Sequence, residues 1–123
     1  GQLVTPATGL LLPSSSVERT ATEALSVKIS KNTIAVEDRV VIGPEGYKQL
    51  MEQKEYMIEP LRKVLSTFAD EARQAAEMFK QEFSGEISIQ GDVDVPYNIL
   101  TRVMYTCGQA GYPVMNMVVY RKE

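Results

Sequence analysis

The chain has 123 residues, 44% of them hydrophobic, so it has the size and apolar content of one domain with a single core. Its net charge is only −3 and its basic residues are scattered, which argues against a nucleic-acid partner and against a polybasic surface for anionic lipid. Histidine is absent, and the single cysteine, Cys107, cannot form an internal disulfide and is predicted to lie in the core. We therefore predict no catalytic residue, no cofactor and no metal ligand.

The amino-terminal stretch has the composition of a linker. Residues 1–23 are rich in Thr, Ser, Gly and Pro and show no helical or strand periodicity, so we predict a flexible tether there and a single domain over residues 24–123. The apolar run at residues 10–12 ends at Pro13 and is far shorter than the ~20 residues needed to span a bilayer. The chain as given is predicted to be soluble, which fits either a cytosolic protein or the outer part of a membrane-anchored one.

A β-hairpin is predicted directly after the tether. Apolar residues alternate with polar ones over residues 25–29, residues 31–32 supply a short turn, and the alternation resumes at Ile34 and Val36. The apolar run at residues 40–42 either extends the second strand beyond a bulge or follows a further tight turn.

The middle of the chain predicts a helical insertion followed by a long helix. Residues 43–46 form a Gly- and Pro-containing break, and the composition is helical from there to about Glu59. Pro60 is predicted to restart the helix, which Ser84 and Gly85 then end. One apolar stripe runs along this helix and is predicted to face the core. It comprises Leu61, Val64, Leu65, Phe68, Ala72, Ala75, Ala76, Phe79 and Phe83.

The last third of the chain begins with a strand and an acidic turn. Ile87 and Ile89 alternate with polar residues, and residues 91–94 break the pattern with turn-forming types. Pro96 suits the first turn of a helix, where a missing N–H costs nothing, and Asp94 is placed to cap free amides. A helix is therefore predicted to start at Pro96.

This last helix is amphipathic and leads into a final strand. Its predicted core face comprises Ile99, Leu100, Val103, Met104, Cys107 and Ala110. Its predicted solvent face carries Asn98, Arg102, Thr106 and Gln109. Gly111 can adopt the left-handed conformation that ends a helix, Pro113 prevents continuation, and residues 114–120 are predicted to form the last strand.

Together these elements predict an α+β fold with two layers. A small mixed sheet of about four strands would carry two main helices on one face in the order β-β-α-β-α-β, with the extra helical insertion before the long helix. Such a sheet leaves edges, and the tether and the last strand are candidates to pair with a second copy of the chain.

The residues alone leave three classes of function open. Asp92 and Asp94 form an Asp-x-Asp pair, a pattern compatible with a divalent cation or with acid–base chemistry, although turn formation and capping explain it as well. A metal-dependent protein built on this pair is therefore one alternative. A small soluble interaction domain with no membrane link is a second, and a binding domain of a membrane-anchored protein is the third.

A resemblance to a known family favours the third class. Residues 87–97, with Asp92, Pro96 and Tyr97, together with residues 103–104 and 108–111, resemble the carboxyl-terminal signature of the ExbD/TolR family. Residues 12–13 and the serines after them are similar to the Leu-Pro segment that family members carry just outside the membrane. The connection over residues 43–59 is longer than in the usual family pattern.

The resemblance implies the periplasmic domain of a single-pass bacterial inner-membrane subunit. Such subunits couple the proton motive force to work, using an aspartate in a transmembrane helix that this sequence does not contain, so neither Asp92 nor Asp94 takes that role. The implied assembly is a homodimer within a ring of ExbB/TolQ-like subunits, acting on a TonB/TolA-like protein or on peptidoglycan. The candidate partner-binding residues are Leu11, Leu12, Pro13, Asp92, Asp94, Pro96 and Tyr97. Residues 10–12 are also predicted to pair as an added strand.

Overall fold

The computed structural model describes residues 2–3 and 24–121. Its strands are β1 Gln2–Leu3, β2 Leu25–Ile29, β3 Ile34–Val36, β4 Arg39–Ile42, β5 Glu86–Asp92 and β6 Val114–Arg121. Its helices are α1 Pro44–Glu52, α2 Glu59–Met78 and α3 Tyr97–Gln109. No helix in the described ranges combines the length and apolar content needed to cross a bilayer.

The strands form one mixed sheet in the order β1-β6-β5-β2-β3-β4. The three central strands β6, β5 and β2 are parallel, because α3 carries the chain from β5 over the sheet to β6. The outer pairs are antiparallel, and β2 and β3 form the predicted hairpin. The α+β class is confirmed, but the predicted count of about four strands is too low, because β1 and β4 were not recognised as separate strands.

The tight-turn alternative for residues 40–42 is the correct one. Glu37 adopts a positive φ of 58°, which reverses the chain between β3 and β4 within two residues. Its backbone N–H donates to the Ser26 carbonyl oxygen at 2.9 Å, and its carboxylate accepts a bond from the Ser26 N–H at 2.8 Å. These bonds across to β2 hold a conformation that a glutamate does not favour by itself.

The core lies between one face of the sheet and the three helices. Alternate strand residues point into it, as the period of two requires. The sheet contributes Leu25, Val27, Ile29, Ile34, Val36, Ile42, Ile87 and Ile89. The helices contribute, among others, Tyr47, Leu50, Leu61, Leu65, Ala69, Ile99, Val103 and Cys107. The predicted insertion is thus a third helix of the same layer, since α1 buries Tyr47 and Leu50 in the common core.

The long helix ends earlier than predicted. α2 stops at Met78 because Lys80 adopts a left-handed φ of 55° and Gln81 donates its backbone N–H to the Ala76 carbonyl oxygen at 2.8 Å. Phe79 therefore leaves the apolar stripe and is 66% exposed, so its placement in the core was wrong. Phe83 lies beyond the helix end and packs edge-on against Tyr112, with 5.6 Å between the ring centroids.

α3 ends through a left-handed Gly111, as predicted. Gly111 has a φ of 110°, and Tyr112 donates its N–H to the Cys107 carbonyl oxygen at 3.0 Å, the pattern of a Schellman motif. The buried Tyr112 ring then leads the chain into β6. The turn at Gly111 therefore sets the direction in which the last strand enters the sheet.

Candidate partner-binding site

The turn between β5 and α3 is the part of the predicted site that the structure describes. The backbone N–H of Asp94 donates to Asp92 Oδ1 at 3.0 Å, and the N–H of Val95 donates to the Asp92 carbonyl oxygen at 3.0 Å. The N–H of Val93 donates to the Tyr120 carbonyl oxygen at 2.9 Å, which ties the turn to β6. Asp92 thus organises the turn by hydrogen bonds from its side chain and its backbone.

The predicted site residues differ in how far they reach solvent. Tyr97 is 78% exposed and Val93 54% exposed, and Asp94 is also exposed, whereas Asp92 and Pro96 are half-buried. Asp94 in the turn and Tyr97 at the start of α3 are therefore both open to solvent. Leu11, Leu12 and Pro13, and the predicted pairing of residues 10–12, lie outside the described residues.

The predicted helix cap at Asp94 is wrong. Pro96 occupies the N-cap position of α3 with extended backbone angles, and no side chain caps the helix. The helix begins at Tyr97, one residue later than predicted, so the Asp94 carboxylate lies too far upstream to reach the first free amides. The strand also continues through Gly91 to Asp92, because both residues pair with β6.

Two residues assigned to the solvent face of α3 are buried. Arg102 is 7% exposed and Thr106 is fully buried, because the connection between α1 and α2 covers this side of the helix. The Arg102 guanidinium donates to Asn98 Oδ1 and to the Gln53 carbonyl oxygen, and its Cζ lies 4.8 Å from the Tyr56 ring centroid. The helical period alone could not indicate this contact, because the covering segment belongs to the insertion.

Thr106 also holds the connection between α1 and α2 against α3. Its Oγ1 accepts a hydrogen bond from the Ile58 N–H at 3.0 Å and donates to the Arg102 carbonyl oxygen at 2.8 Å. Ile58 immediately precedes α2 and is itself buried. Arg102 and Thr106 together hold the segment 53–58 against α3, so the insertion is joined to the helix that carries Tyr97 at its start.

We expect Thr106→Val to lower the free energy of unfolding by about 1–2 kcal/mol, because it keeps the side-chain shape but leaves the buried Ile58 N–H without an acceptor. Thr67→Val is the matched control, since the Thr67 hydroxyl donates to the Lys63 carbonyl oxygen one turn earlier at 3.1 Å but is exposed. Urea unfolding of both variants measures the difference. Equal losses in the two variants would contradict an anchoring role for Thr106.

Cys107 is a core residue, as predicted. It is fully buried on α3, and burial raises the pKa of its thiol from 9.0 to about 12. A thiol with so high a pKa carries almost no thiolate at neutral pH, which makes it a poor nucleophile. Burial also raises the pKa of the Tyr47 and Tyr120 hydroxyls above 10.0.

These shifts predict a loss of stability in alkaline solution. Because the folded pKa of the thiol exceeds the unfolded value, its contribution is complete below pH 9 and declines as the pH rises toward 12. We expect the free energy of unfolding to fall by up to about 1.4 kcal/mol per pH unit from this group. Cys107→Ala should reduce the slope between pH 9 and 10, where the unfolded thiol is more fully ionised than the unfolded tyrosines are. If the free energy of unfolding falls with pH as steeply in Cys107→Ala as in the wild type, the Cys107 thiol is not the source of the slope.

The geometry offers no support for the metal-binding alternative. Nowhere in residues 24–121 do three side chains of the ligating types His, Cys, Asp and Glu come together. Asp92 Oδ1 accepts the Asp94 N–H, which is a turn contact, and Asp94 is exposed. Among the described residues, the fold presents a hydrogen-bonded turn with exposed Val93 and Asp94, followed by the exposed Tyr97 at the start of α3.

A comparison with known families gives the class of protein. The family model for the biopolymer transport protein ExbD/TolR matches residues 2–122, which is essentially the whole chain. The chain therefore belongs to the ExbD/TolR family. No curated protein and no solved structure matches it.

Membership carries several general properties. The family consists of inner-membrane proteins with a periplasmic domain. Its members are transport and energy-transduction subunits without enzymatic activity, and they work in complexes with ExbB/TolQ-type partners. A biopolymer-transport motor subunit is thus the general class to which this chain belongs.

Proposed function

We propose that this chain is the periplasmic domain of an ExbD/TolR-like subunit that couples the proton motive force to work on a periplasmic partner or on the cell wall. The observation that carries the proposal is the family match over residues 2–122, which spans every described strand and helix. The work done is biopolymer transport, envelope maintenance or a related motor activity.

In this proposal a single transmembrane helix precedes the chain and carries the proton-coupled aspartate. The helix sits in a ring of ExbB/TolQ-like subunits in the inner membrane, and residues 1–23 tether the domain to it. A flexible segment of this length has a root-mean-square span of roughly 25 Å once Gln2 and Leu3 leave β6, so in this proposal the tether separates the domain from the membrane when β1 is released from the sheet. Proton flow then changes the position of the domain relative to its partner.

We further propose a homodimer formed through unpaired sheet edges. β1 pairs with β6 only at Tyr120 and Arg121, so residues 114–119 have no outer strand neighbour among the described residues. An edge strand presents backbone donors and acceptors on its outer side, which favours addition of another strand. Residues 10–12 of a second copy carry the apolar side chains that such a strand requires.

The proposed partner contact is the turn that carries Asp92, Asp94, Pro96 and Tyr97, together with Leu11, Leu12 and Pro13 of the tether. In support, the large exposed ring of Tyr97 lies at the start of α3, after a turn held by two backbone–backbone hydrogen bonds and one from the Asp94 N–H to Asp92 Oδ1. An exposed aromatic side chain on a rigid support is a common anchor in protein interfaces. The partner is a TonB/TolA-like protein or peptidoglycan.

A photo-crosslinking experiment in cells tests the proposal. The full-length protein receives a photoreactive phenylalanine analogue at Tyr97, and a matched protein receives it at Lys63 on the exposed face of α2. We expect Tyr97 to crosslink to a periplasmic protein or to the wall, Lys63 not to do so, and an uncoupler to change the Tyr97 yield. A reading frame without an apolar helix before Gln2, or equal yields at the two positions in coupled and uncoupled cells, would overturn it.

A further inference from the structure

The face of the sheet opposite the helices carries no packed layer among the described residues. Most side chains that point to it are small or polar, including Ser26 and Lys28 of β2, Ala35 of β3 and Ser88 and Gln90 of β5, and the register adds Val40 of β4 and Val118 of β6. All of these are exposed or half-buried, in contrast to the fully buried residues between them. Near Lys28 and Gln90 the face offers mainly polar groups, so we expect a ligand of that part to be recognised chiefly through hydrogen bonds and charge.

A groove of about 470 Å³ crosses this face where β2, β5 and β6 end. Its lining includes Gln90 of β5 and Tyr120 of β6, which we call its floor, and also Lys28, Lys31 and Asp92. The parallel register brings these residues together, since Lys28 lies opposite Gln90 and Asp92 lies opposite Tyr120. Crevices beyond the carboxyl ends of parallel strands are frequent binding positions in proteins.

The polar floor of the groove is held in place by its own hydrogen bonds. The Tyr120 hydroxyl donates to Gln90 Oε1, and the Gln90 amide nitrogen lies 3.5 Å from Ser88 Oγ. Burial raises the pKa of Tyr120, so its hydroxyl remains protonated at neutral pH. A floor with fixed polar groups loses little conformational entropy when a ligand binds.

The net charge of the described groove lining is opposite in sign to the net charge of the chain. Among the described lining residues two are lysines and one is acidic, whereas the whole chain carries a net charge of −3. Lys28 Nζ lies 3.8 Å from Asp38 Oδ1, but the Asp38 side chain is 99% exposed, so this surface pair is weak and replaceable. The Asp92 carboxylate accepts the Asp94 N–H and is thereby engaged in the turn.

From these observations we infer that the groove binds an acidic, extended peptide segment of a periplasmic protein. Carboxylates of the segment pair with the amines of Lys28 and Lys31, and its amides bond to Gln90 along the floor. A sugar chain fits less well, because the only aromatic ring among the described lining residues is that of Tyr120, which is half-buried and not a free stacking platform. The inference rests on the proposed function only in that the domain engages another periplasmic protein.

Fluorescence anisotropy of the purified chain tests the inference. The probe is a labelled peptide of alternating Glu and Gly, compared with a peptide in which Gln replaces every Glu. We expect the acidic peptide to bind and the neutral one not to bind. K28Q/K31Q should weaken binding by about tenfold, which corresponds to the loss of two surface charge contacts. The matched variant K48Q/K63Q changes the net charge equally on the exposed surface of α1 and α2 and should bind as the wild type does.

The two double variants distinguish binding in the groove from attraction by net charge. Equal losses in both would show attraction by net charge alone and would overturn the inference. Tighter binding of soluble cell-wall fragments, lost in K28Q/K31Q, would assign the groove to the wall instead and would also overturn it.

Amide NMR shifts on peptide addition should cluster at Ser30, Gln90 and their neighbours. Failure of the peptide arm while the Tyr97 crosslink persists would overturn the inference and leave the proposed function standing.

Discussion

Ile89→Ala is expected to lower the free energy of unfolding by about 2–5 kcal/mol, the usual range for truncating a buried isoleucine. Ile89 is fully buried in β5, at the centre of the sheet, where it lies opposite Val27 of β2 and Met117 of β6. Removing its side chain leaves a cavity between the sheet and the helices. Because β5 pairs with two neighbours, it cannot move far to fill that cavity.

Ser88→Ala is the control for this variant. Ser88 precedes Ile89 in the same strand but points to the uncovered face, so its replacement should change the free energy of unfolding by no more than about 0.5 kcal/mol. Urea denaturation of the two variants, followed by far-UV circular dichroism, provides the comparison. Comparable losses at the two positions would mean that both faces of the sheet are packed, against the two-layer fold.

Gly111→Ala and Gly108→Ala are expected to act in opposite directions although they lie one helical turn apart. Gly111 has a φ of 110°, and an added Cβ would lie 3.3 Å from Ala69 Cβ and 3.0 Å from Arg73 Nη2. We expect Gly111→Ala to lower the free energy of unfolding by about 1–3 kcal/mol, because a side chain there strains the backbone. Ala69 lies in α2 and has no flexible atoms with which to move away.

Gly108 provides the matched position. It lies inside α3, and an added Cβ would meet only the flexible end of Met115 at an ordinary 3.5 Å. Gly108→Ala should therefore raise the free energy of unfolding by about 0.5–1 kcal/mol, since alanine is the better helix former. Thermal unfolding of both variants would measure the two signs. A stabilising effect at Gly111 would refute the Schellman end of α3 and with it the entry angle of β6.

The predictions that held were those that depended on local patterns. The alternation over residues 25–29 and 34–36 identified β2 and β3, and Pro60 correctly marked the start of α2. Gly111 marked the end of α3 because few other residues adopt its conformation. The family assignment likewise used short motifs, and the family match over residues 2–122 confirmed it.

The predictions that failed depended on contacts between distant segments. Arg102 occupies a position that its helical period assigns to solvent, yet residues 53–58 cover it. Lys80 takes a left-handed conformation that no lysine signals in advance, which ended α2 before Phe79. The residues of the groove were not singled out as a group either, because they come from separate strands that only the sheet brings together.

Short-range patterns predict the class of fold, the order of its main elements and the family, because alternation, helical period, proline and glycine act within a few residues of the chain. Tertiary structure alone decided which polar residues are buried, how the insertion joins α3, and where Lys28, Lys31, Gln90 and Tyr120 meet. A local sequence pattern constrains only the backbone near it. The burial of a side chain and the charge around it depend on segments that lie far apart in the sequence and meet only in the folded chain.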